Sequence, residues 1–424
     1  MRAMKDSGVE WIGRIPEEWG IKKLSSLFDE VTKKVSDKDY PPLSVTKQGI
    51  LPQIDGVAKT DNGDNRKLVR IGDFVINSRS DRKGASGVSE YEGSVSLINI
   101  VFQPKESVDM RYMHHLLRCC GFQEEFYRWG HGIVADLWTT NSSDAKNIIF
   151  PTPSYEEQAS ISCDLDTKCA EIDKVVEQTR ATIAEYKKLK QAIITEAVTK
   201  GVRGPRPMKP SGVEWIGDIP EEWAISTLGK VTLSMRNGYV GPTRDLFVDD
   251  GVRYIQSLHI KDGKIDLSKK EYYVRPAWAA ERPKVNTGDI LIVQTGDIGQ
   301  VGLVTEEHNE CSCHALIIAT PDKSTISSEY LTYFLRSTVG RELLLAHKTG
   351  ALLPHLNSGK IRFAEVVYPG TVGEQQEIVA YLDTKCAEID RIIGKKEQLI
   401  EELGSYKKSL IYEYVTGKKQ VLYK

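Results

Sequence analysis

The 424-residue sequence lacks any apolar run approaching the ~20 residues a membrane-spanning helix needs, so no transmembrane helix is expected. Its opening residues, MRAMKDSGVEW, lack the apolar centre of a signal peptide. Cysteine is sparse: there are seven, an odd number, with Cys119 and Cys120 adjacent and Cys311 and Cys313 one residue apart. That pattern excludes a disulfide framework and points to a reducing cytoplasm. Charge of one sign is missing too, since 57 basic residues face 59 acidic ones. Such a balance argues against a protein that grips nucleic acid by charge alone.

Catalytic motifs are also wanting. No glycine-rich loop for S-adenosylmethionine is evident. The only Pro-Pro, in YPPLS (40–44), lacks the preceding Asn or Asp and the following aromatic that hold a flipped adenine. GALLPHLNSGK (350–360) has the wrong spacing for a phosphate-binding G-x-x-x-x-G-K loop. CSCH (311–314) offers one Cys-x-Cys-His without a second pair, which reads as buried thiols at a strand start rather than zinc ligands. His114-His115 reads as helix packing or a solvated face. No triad and no paired carboxylates emerge, and no metal or cofactor site is expected in this chain.

What is present is duplication. SGVEWIGRIPEEW (7–19) returns as SGVEWIGDIPEEW (211–223), an offset of 204. LDTKCAEID (165–173) returns unchanged at 382–390, an offset of 217. That second alignment reaches back to Glu157-Gln158 and Glu374-Gln375, and forward to Val198-Thr199 and Val415-Thr416. The chain therefore reads as phrase, block, long helix, then the same again. The two blocks, roughly 20–154 and 224–371, share no obvious similarity.

The helices carry the clearest periodicity. Ile161, Leu165, Ile172, Val175, Val176, Ile183, Tyr186, Leu189 and Ile193 recur at three- and four-residue steps. Ile378, Leu382, Ile389, Ile392, Ile393, Leu399, Leu403, Tyr406 and Leu410 repeat the pattern. These are heptad seams, interrupted by Lys168, Thr179, Lys385 and Lys396. Each run of about 43 residues would be ~65 Å long and needs a partner along its length. The other helix is the candidate, which predicts an antiparallel intramolecular coiled coil with a pseudo-two-fold, circular repeat. Pro16 and Pro220, each followed by Glu-Glu-Trp, read as helix starts. Trp11, Trp19, Trp215 and Trp223 read as anchors of a clip that docks each block on the helices.

Both blocks carry short strand-like runs with turns at Gly-Asp, then a helix, then a short strand with proline. Unlike sequences thus share one order of elements, predicting an α+β fold used twice. Between the elements lie polar loops. Arg66 to Lys83 holds six basic residues against two acidic ones. Arginine favours guanine, and asparagine or glutamine favours adenine, when presented in bidentate fashion. On that chemistry the candidate DNA-contacting residues are Arg79, Arg82, Lys83 and Asn141 in the first block. In the second they are Arg236, Asn237, Arg244, Gln294, His355 and Asn357. The alternative for any one loop is a solvated turn. Over whole blocks the charges nearly cancel: 18 basic to 17 acidic in 20–154, and 17 to 16 in 224–370.

The whole architecture resembles the specificity subunit of type I restriction-modification systems. The matching residues are Gly-Val-Glu-Trp-Ile-Gly-x-Ile-Pro-Glu-Glu-Trp at 8–19 and 212–223, and the Glu-Gln pair beside a proline-containing strand. The Leu-Asp-x-Lys-x-x-x-Ile-Asp helix start and the endings ITEAVTKG (194–201) and IYEYVTGK (411–418) complete the set. The resemblance implies target-recognition domains at 1–154 and 204–371, with conserved long helices at 155–203 and 372–424. Each domain would read one half of a split, asymmetric site in double-stranded DNA, and the coil would set the spacing. It also implies two methyltransferase subunits and two restriction (motor-nuclease) subunits as partners, with S-adenosylmethionine, ATP and Mg held by those subunits. The chain itself would be non-catalytic. Two readings stay open beside it: a coiled-coil scaffold whose blocks bind proteins, and a stand-alone nuclease or methylase.

Overall fold

The computed structural model describes residues 2–53, 63–105, 108–132, 138–268, 270–350 and 354–421. Contacts group the chain into two units: residues 1–179 with 397–424, and residues 180–396. Each unit holds one variable block, the opening half of one long helix and the closing half of the other.

Short apolar runs build the sheets. In the first unit Phe74–Asn77 is an interior strand of a four-stranded antiparallel sheet, ordered Ser86–Val88, Phe74–Asn77, Asn99–Pro104, Phe28–Glu30. In the second unit Ile290–Val293, buried at every position, fills the same place. Its sheet runs Val301–Leu303, Ile290–Val293, Leu316–Pro321, Thr232–Asn237. A Gly-Asp turn launches each interior strand. Gly72 and Gly288 take φ of +89° and +93°, where a side chain would be strained. Asp73 then accepts the Arg70 N–H at 2.8 Å, and Asp289 accepts that of Asn286 at 2.9 Å.

Two helices follow in each unit. Met110–Leu116 is capped by Asp109, which accepts from the N–H groups of Arg111 and Tyr112. Ser328–Arg336 is capped by Ser327, which accepts from Tyr330. Cys120–Arg128 and Thr338–Ala346 come next. Each block closes on a strand, Ile149–Thr152 or Glu365–Tyr368, that pairs with Gly20–Lys23 or Ala224–Thr227.

The long helices span Tyr155–Lys200 and Val372–Val415. Within each unit their halves run antiparallel. In the first, Lys407 donates to Asp173 at 2.6 and 2.7 Å, and Lys168 donates to the Tyr414 hydroxyl at 3.2 Å. In the second, Lys190 donates to Asp390 at 2.9 and 3.0 Å. Asp173–Lys407 and Asp390–Lys190 are one pair, exchanged between the repeats by the 217-residue offset. The second unit adds a hairpin, Ile260–Lys261 with Lys264–Ile265, whose Asp262 meets Lys190 at 2.6 Å and Arg336 at 3.1 Å. Burial opposes the charge on Lys190, but the two carboxylates outweigh it and raise its pKa.

The duplicated phrases meet the duplicated helix ends. Trp19 donates its indole N–H to Glu157 at 2.8 Å, and Trp223 donates to Glu374 at 3.2 Å. Arg2 and Arg206 each pair with the same glutamate and lie 5.8 and 5.3 Å from the ring centre of the same tryptophan. The adjoining glutamines bridge backbone groups. Gln158 accepts from Asp109 N at 3.1 Å and donates to Pro153 O at 2.9 Å. Gln375 accepts from Ser327 N at 2.8 Å and donates to Thr325 O and Pro369 O at 3.0 and 3.2 Å. Tyr112 and Tyr330, both fully buried, donate to Val415 O at 3.0 Å and Val198 O at 3.1 Å. Every duplicated residue in this set makes the same contact twice, which is the physical reason for the repeated wording.

Three sequence expectations are corrected. Pro16 and Pro220 do not start helices. They end the outer strands of two hairpins, Met4–Asp6 with Arg14–Pro16 and Met208–Pro210 with Asp218–Pro220. Glu-Glu-Trp then turns the chain back, with Trp19 N bonded to Pro16 O and Trp223 N to Pro220 O. Trp11 packs on Phe122, whereas Trp215 is 54% exposed and anchors nothing in the core. On the long helices Val175, Leu189, Leu399 and Tyr406 are exposed, while Thr179 and Lys190 are buried. A 3.6-residue turn drifts off a strict heptad, so residues on the flank of the stripe leave the seam.

Candidate nucleic-acid interface

The end of each interior strand opens a rim of exposed polar loops. In the first unit Phe74–Asn77 runs into Ser78, whose carbonyl accepts the Thr140 N–H at 3.0 Å. Ser80 N bonds Trp138 O at 2.8 Å, and Trp138 N returns a bond to Ser80 Oγ at 3.0 Å. Thr139 exchanges backbone bonds with His131 at 3.0 and 3.1 Å and also bridges Arg79. Asn141 follows and opens the short helix Ser142–Ala145.

The second unit repeats this construction with other side chains. Ile290–Val293 runs into Gln294, whose carbonyl accepts the Leu356 N–H at 2.9 Å. His355 exchanges backbone bonds with Thr349 at 2.8 and 2.9 Å, and its Nε2 lies 3.0 Å from Thr349 Oγ1. Asn357 opens the short helix Ser358–Ile361 and accepts the Gly359 N–H at 2.8 Å. Asn141 and Asn357 therefore occupy one structural position. Ser78 and Gln294 share another, and the loop between strands closes with Asn77 N on Ala85 O and Val293 N on Gln300 O.

The first rim holds Arg79, Arg82, Lys83 and Asn141 together. Arg79 contacts Asp81 at 3.0 Å, Arg82 lies 3.9 Å from the same carboxylate, and Lys83 meets Glu124 at 2.5 Å. All are exposed pairs worth about 0–1 kcal/mol each, so a phosphate or base edge can displace them at little cost. The second rim holds Gln294, His355 and Asn357. Asn237, the exposed end of strand Thr232–Asn237, belongs to the same sheet edge, because it pairs with Ile317 beside the Leu316–Val293 pair. Arg236 is tethered: it donates to Lys284 O at 2.8 Å and lies 3.4 Å from the buried Asp289 carboxylate. Arg244 is exposed in the loop before strand Phe247–Val248, which belongs to a different sheet.

Sequence reasoning overlooked several rim residues. Trp138 is 38% exposed beside Arg79. Arg341, on helix Thr338–Ala346, reaches Asp297 in the second rim's loop at 2.7 Å. A cluster of Tyr239, Trp278 and Arg282 stands beyond Asn237. No motif marks these residues. Cys311 and Cys313 are buried at the strand Ser312–Cys313, as expected of core thiols. Burial pushes their thiols up to about 11 and about 12.

Comparison with known proteins agrees with this construction. The model of the family described as "Type I restriction modification DNA specificity domain" matches residues 220–402. The chain is 26% identical over 289 residues to the type I restriction enzyme EcoBI specificity subunit of Escherichia coli, covering 65% of this chain but 60% of that protein. It is 23% identical over 439 aligned positions to the putative type I restriction enzyme MjaX specificity subunit of Methanocaldococcus jannaschii, covering 97% and 96%. A solved chain from work on complex assembly and conformational transition of the type I R-M system shares the fold, with TM-score 0.72 and 15% identity, over 96% of this chain and 99% of that one. The HsdS subunit from Thermoanaerobacter tengcongensis aligns with TM-score 0.50 and 16% identity over 96% and 98%. With the family's domain model on the second block and a relative spanning both copies of the duplicated frame, the chain is similar to the type I restriction-modification specificity subunits.

Proposed function

We propose that this chain is the DNA sequence-specificity subunit of a type I restriction-modification complex. One observation carries the reading: the two units build the same rim from the same backbone bonds and furnish it with different side chains. A repeated frame with exchanged contents suits two readers of two unlike half-sites. Arg79, Arg82, Lys83 and Asn141 contact one half; Asn237, Gln294, His355 and Asn357 contact the other, with Arg236 and Arg244 nearer the backbone. Base edges in the major groove give the discrimination.

The long helices act as one antiparallel intramolecular coiled coil, giving the chain a pseudo-two-fold, circular repeat, and fix the unread gap at ~3.4 Å per base pair. Two methyltransferase subunits dock on this frame, and two restriction subunits join them in the cytoplasm. S-adenosylmethionine, ATP and Mg belong to those partners, and this chain is non-catalytic. The near-neutral charge fits, because partner subunits enclosing the duplex would supply most phosphate contacts.

Methylation mapping of the host genome tests the reading. A split, asymmetric motif should be methylated in the presence of the chain and lose its mark when the chain is deleted. A map unchanged by deletion would refute it.

A further inference from the structure

We infer that Arg282, held over the rings of Trp278 and Tyr239, is a guanine-reading side chain of the second unit. This rests on the proposed DNA-recognition role and assigns one of its base contacts. Arg282 belongs to none of the loops whose composition drew attention. It sits two residues before Lys284, which bridges Ser312, and seven before the Asp289 of the Gly-Asp turn. Arg66 in the first unit has the same two relations, to the Leu68–Ser94 pair and to Asp73. The two arginines are therefore structural equivalents.

Their guanidinium groups do different things. Arg66 is buried and donates to Ser94 Oγ at 2.8 Å and Ser94 O at 3.0 Å. Arg282 leaves the equivalent serine: Ser312 Oγ is buried and has no hydrogen-bond partner among the described residues. Instead the Arg282 guanidinium lies 4.9 Å from the Trp278 ring centre and 5.6 Å from that of Tyr239. The two rings stand edge to face, 5.0 Å apart. Its sole polar partner among the described residues is Glu281, at 3.5 Å and itself 80% exposed. Ring contacts of this kind hold a guanidinium through its π-face attraction and use up none of its N–H donors. A fork fixed in that way loses little freedom on meeting the O6 and N7 of guanine.

Its position agrees. Gly238 N bonds Leu316 O at 2.8 Å, and Leu316 pairs with Val293, so Tyr239 and Gln294 lie one step beyond a single row of the sheet. Tyr239 is fixed there by its N–H on Cys313 O at 3.0 Å and by Ala315 N on its carbonyl at 2.8 Å. The chain passes Cys313 so closely that a Cβ on Gly238 would stand 2.4 Å from the sulfur. Trp278 comes from the short helix Pro276–Ala280.

The test compares methylation maps from cells carrying the full chain, Arg282→Lys or Arg282→Ala, with their partner subunits. Lysine keeps the charge and the stem but cannot fork, so it preserves a phosphate contact and removes a bidentate base contact. Wild type should give a split motif. Both variants should then also mark sites in which one G·C pair of one half is replaced, with preference for that guanine falling by between about 5-fold and 150-fold. Thermal melting of the purified variants should show the fold retained. An Arg282→Lys map identical to wild type overturns the assignment, as does an equal loss at every site with the fold intact. A wild-type map without a split motif would instead refute the DNA-recognition reading on which it stands.

Discussion

Gln375 should be worth more to its unit than its sequence twin Gln158 is to the other. Gln375 is fully buried and serves three backbone groups, Ser327 N, Thr325 O and Pro369 O. Gln158 serves two, Asp109 N and Pro153 O. Methionine matches glutamine in length and leaves those groups buried without partners, at about 1–2 kcal/mol each. Gln375→Met should therefore lose about 3–6 kcal/mol and Gln158→Met about 2–4 kcal/mol. The two should add, because they share no partner. Urea unfolding gives the total. Hydrogen exchange locates it, in Ser328–Arg336 for the first variant and in Met110–Leu116 for the second. Gln375→Glu adds a sign test. Its carboxylate would face two carbonyl oxygens, so folding favours the protonated acid and raises its pKa. Its stability is then greatest at low pH and lost as pH rises through the folded value. A loss below about 1 kcal/mol for Gln375→Met, or equal exchange in both helices, would refute this account of the duplicated Glu-Gln.

Arg79→Ala should relax one position of one half-site by about 1–3 kcal/mol in preference, read from methylation maps; uniform weakening at all sites would make it a phosphate contact. Burial, with Arg118 and His115 nearby, lowers the His114 pKa to about 3. The unfolded chain takes up that proton first, so stability present above about pH 6.5 falls by about 2 kcal/mol at pH 5, and His114→Gln should flatten that loss in urea titrations. Adding one heptad to each long helix, about 10 Å, should widen the unread gap by about 3 base pairs with both half-sites unchanged, as mapped by methylation.

The duplicated residues were legible because a repeat that preserves Trp, Glu, Gln, Val and Thr preserves the contacts among them. The interior strands were legible from apolar runs behind Gly-Asp turns. Pro16 and Pro220 misled because Pro-Glu-Glu suits a helix N-terminus and a strand exit equally well, and only the partner strand decides. Lys190 carries no local signal of its burial. Its burial depends on Asp262, 72 residues away on a hairpin of the second block. The rims were half legible. Composition pointed to Arg79 and Asn357, but the bonds joining Ser78 to Thr140 and Gln294 to Leu356 are long-range. Arg236 and Arg282 show the same limit: nothing local reveals that one is tethered to Asp289 and the other lies over aromatic rings.

The contacts of Val415 and its neighbours bear on how the chain is made. Tyr112 bonds Val415 O, Tyr412 bonds Trp11 O at 2.7 Å, and Lys418 bonds Ile12 O at 2.6 Å. The amino-terminal unit thus waits for residues synthesised some three to four hundred positions later, while the other unit is drawn from the continuous stretch 180–396. During translation the second unit can finish first, and the earlier one stays open at its base until the last turn of helix leaves the ribosome. A premature stop near codon 410 would accordingly damage the half of the protein farthest from it in sequence.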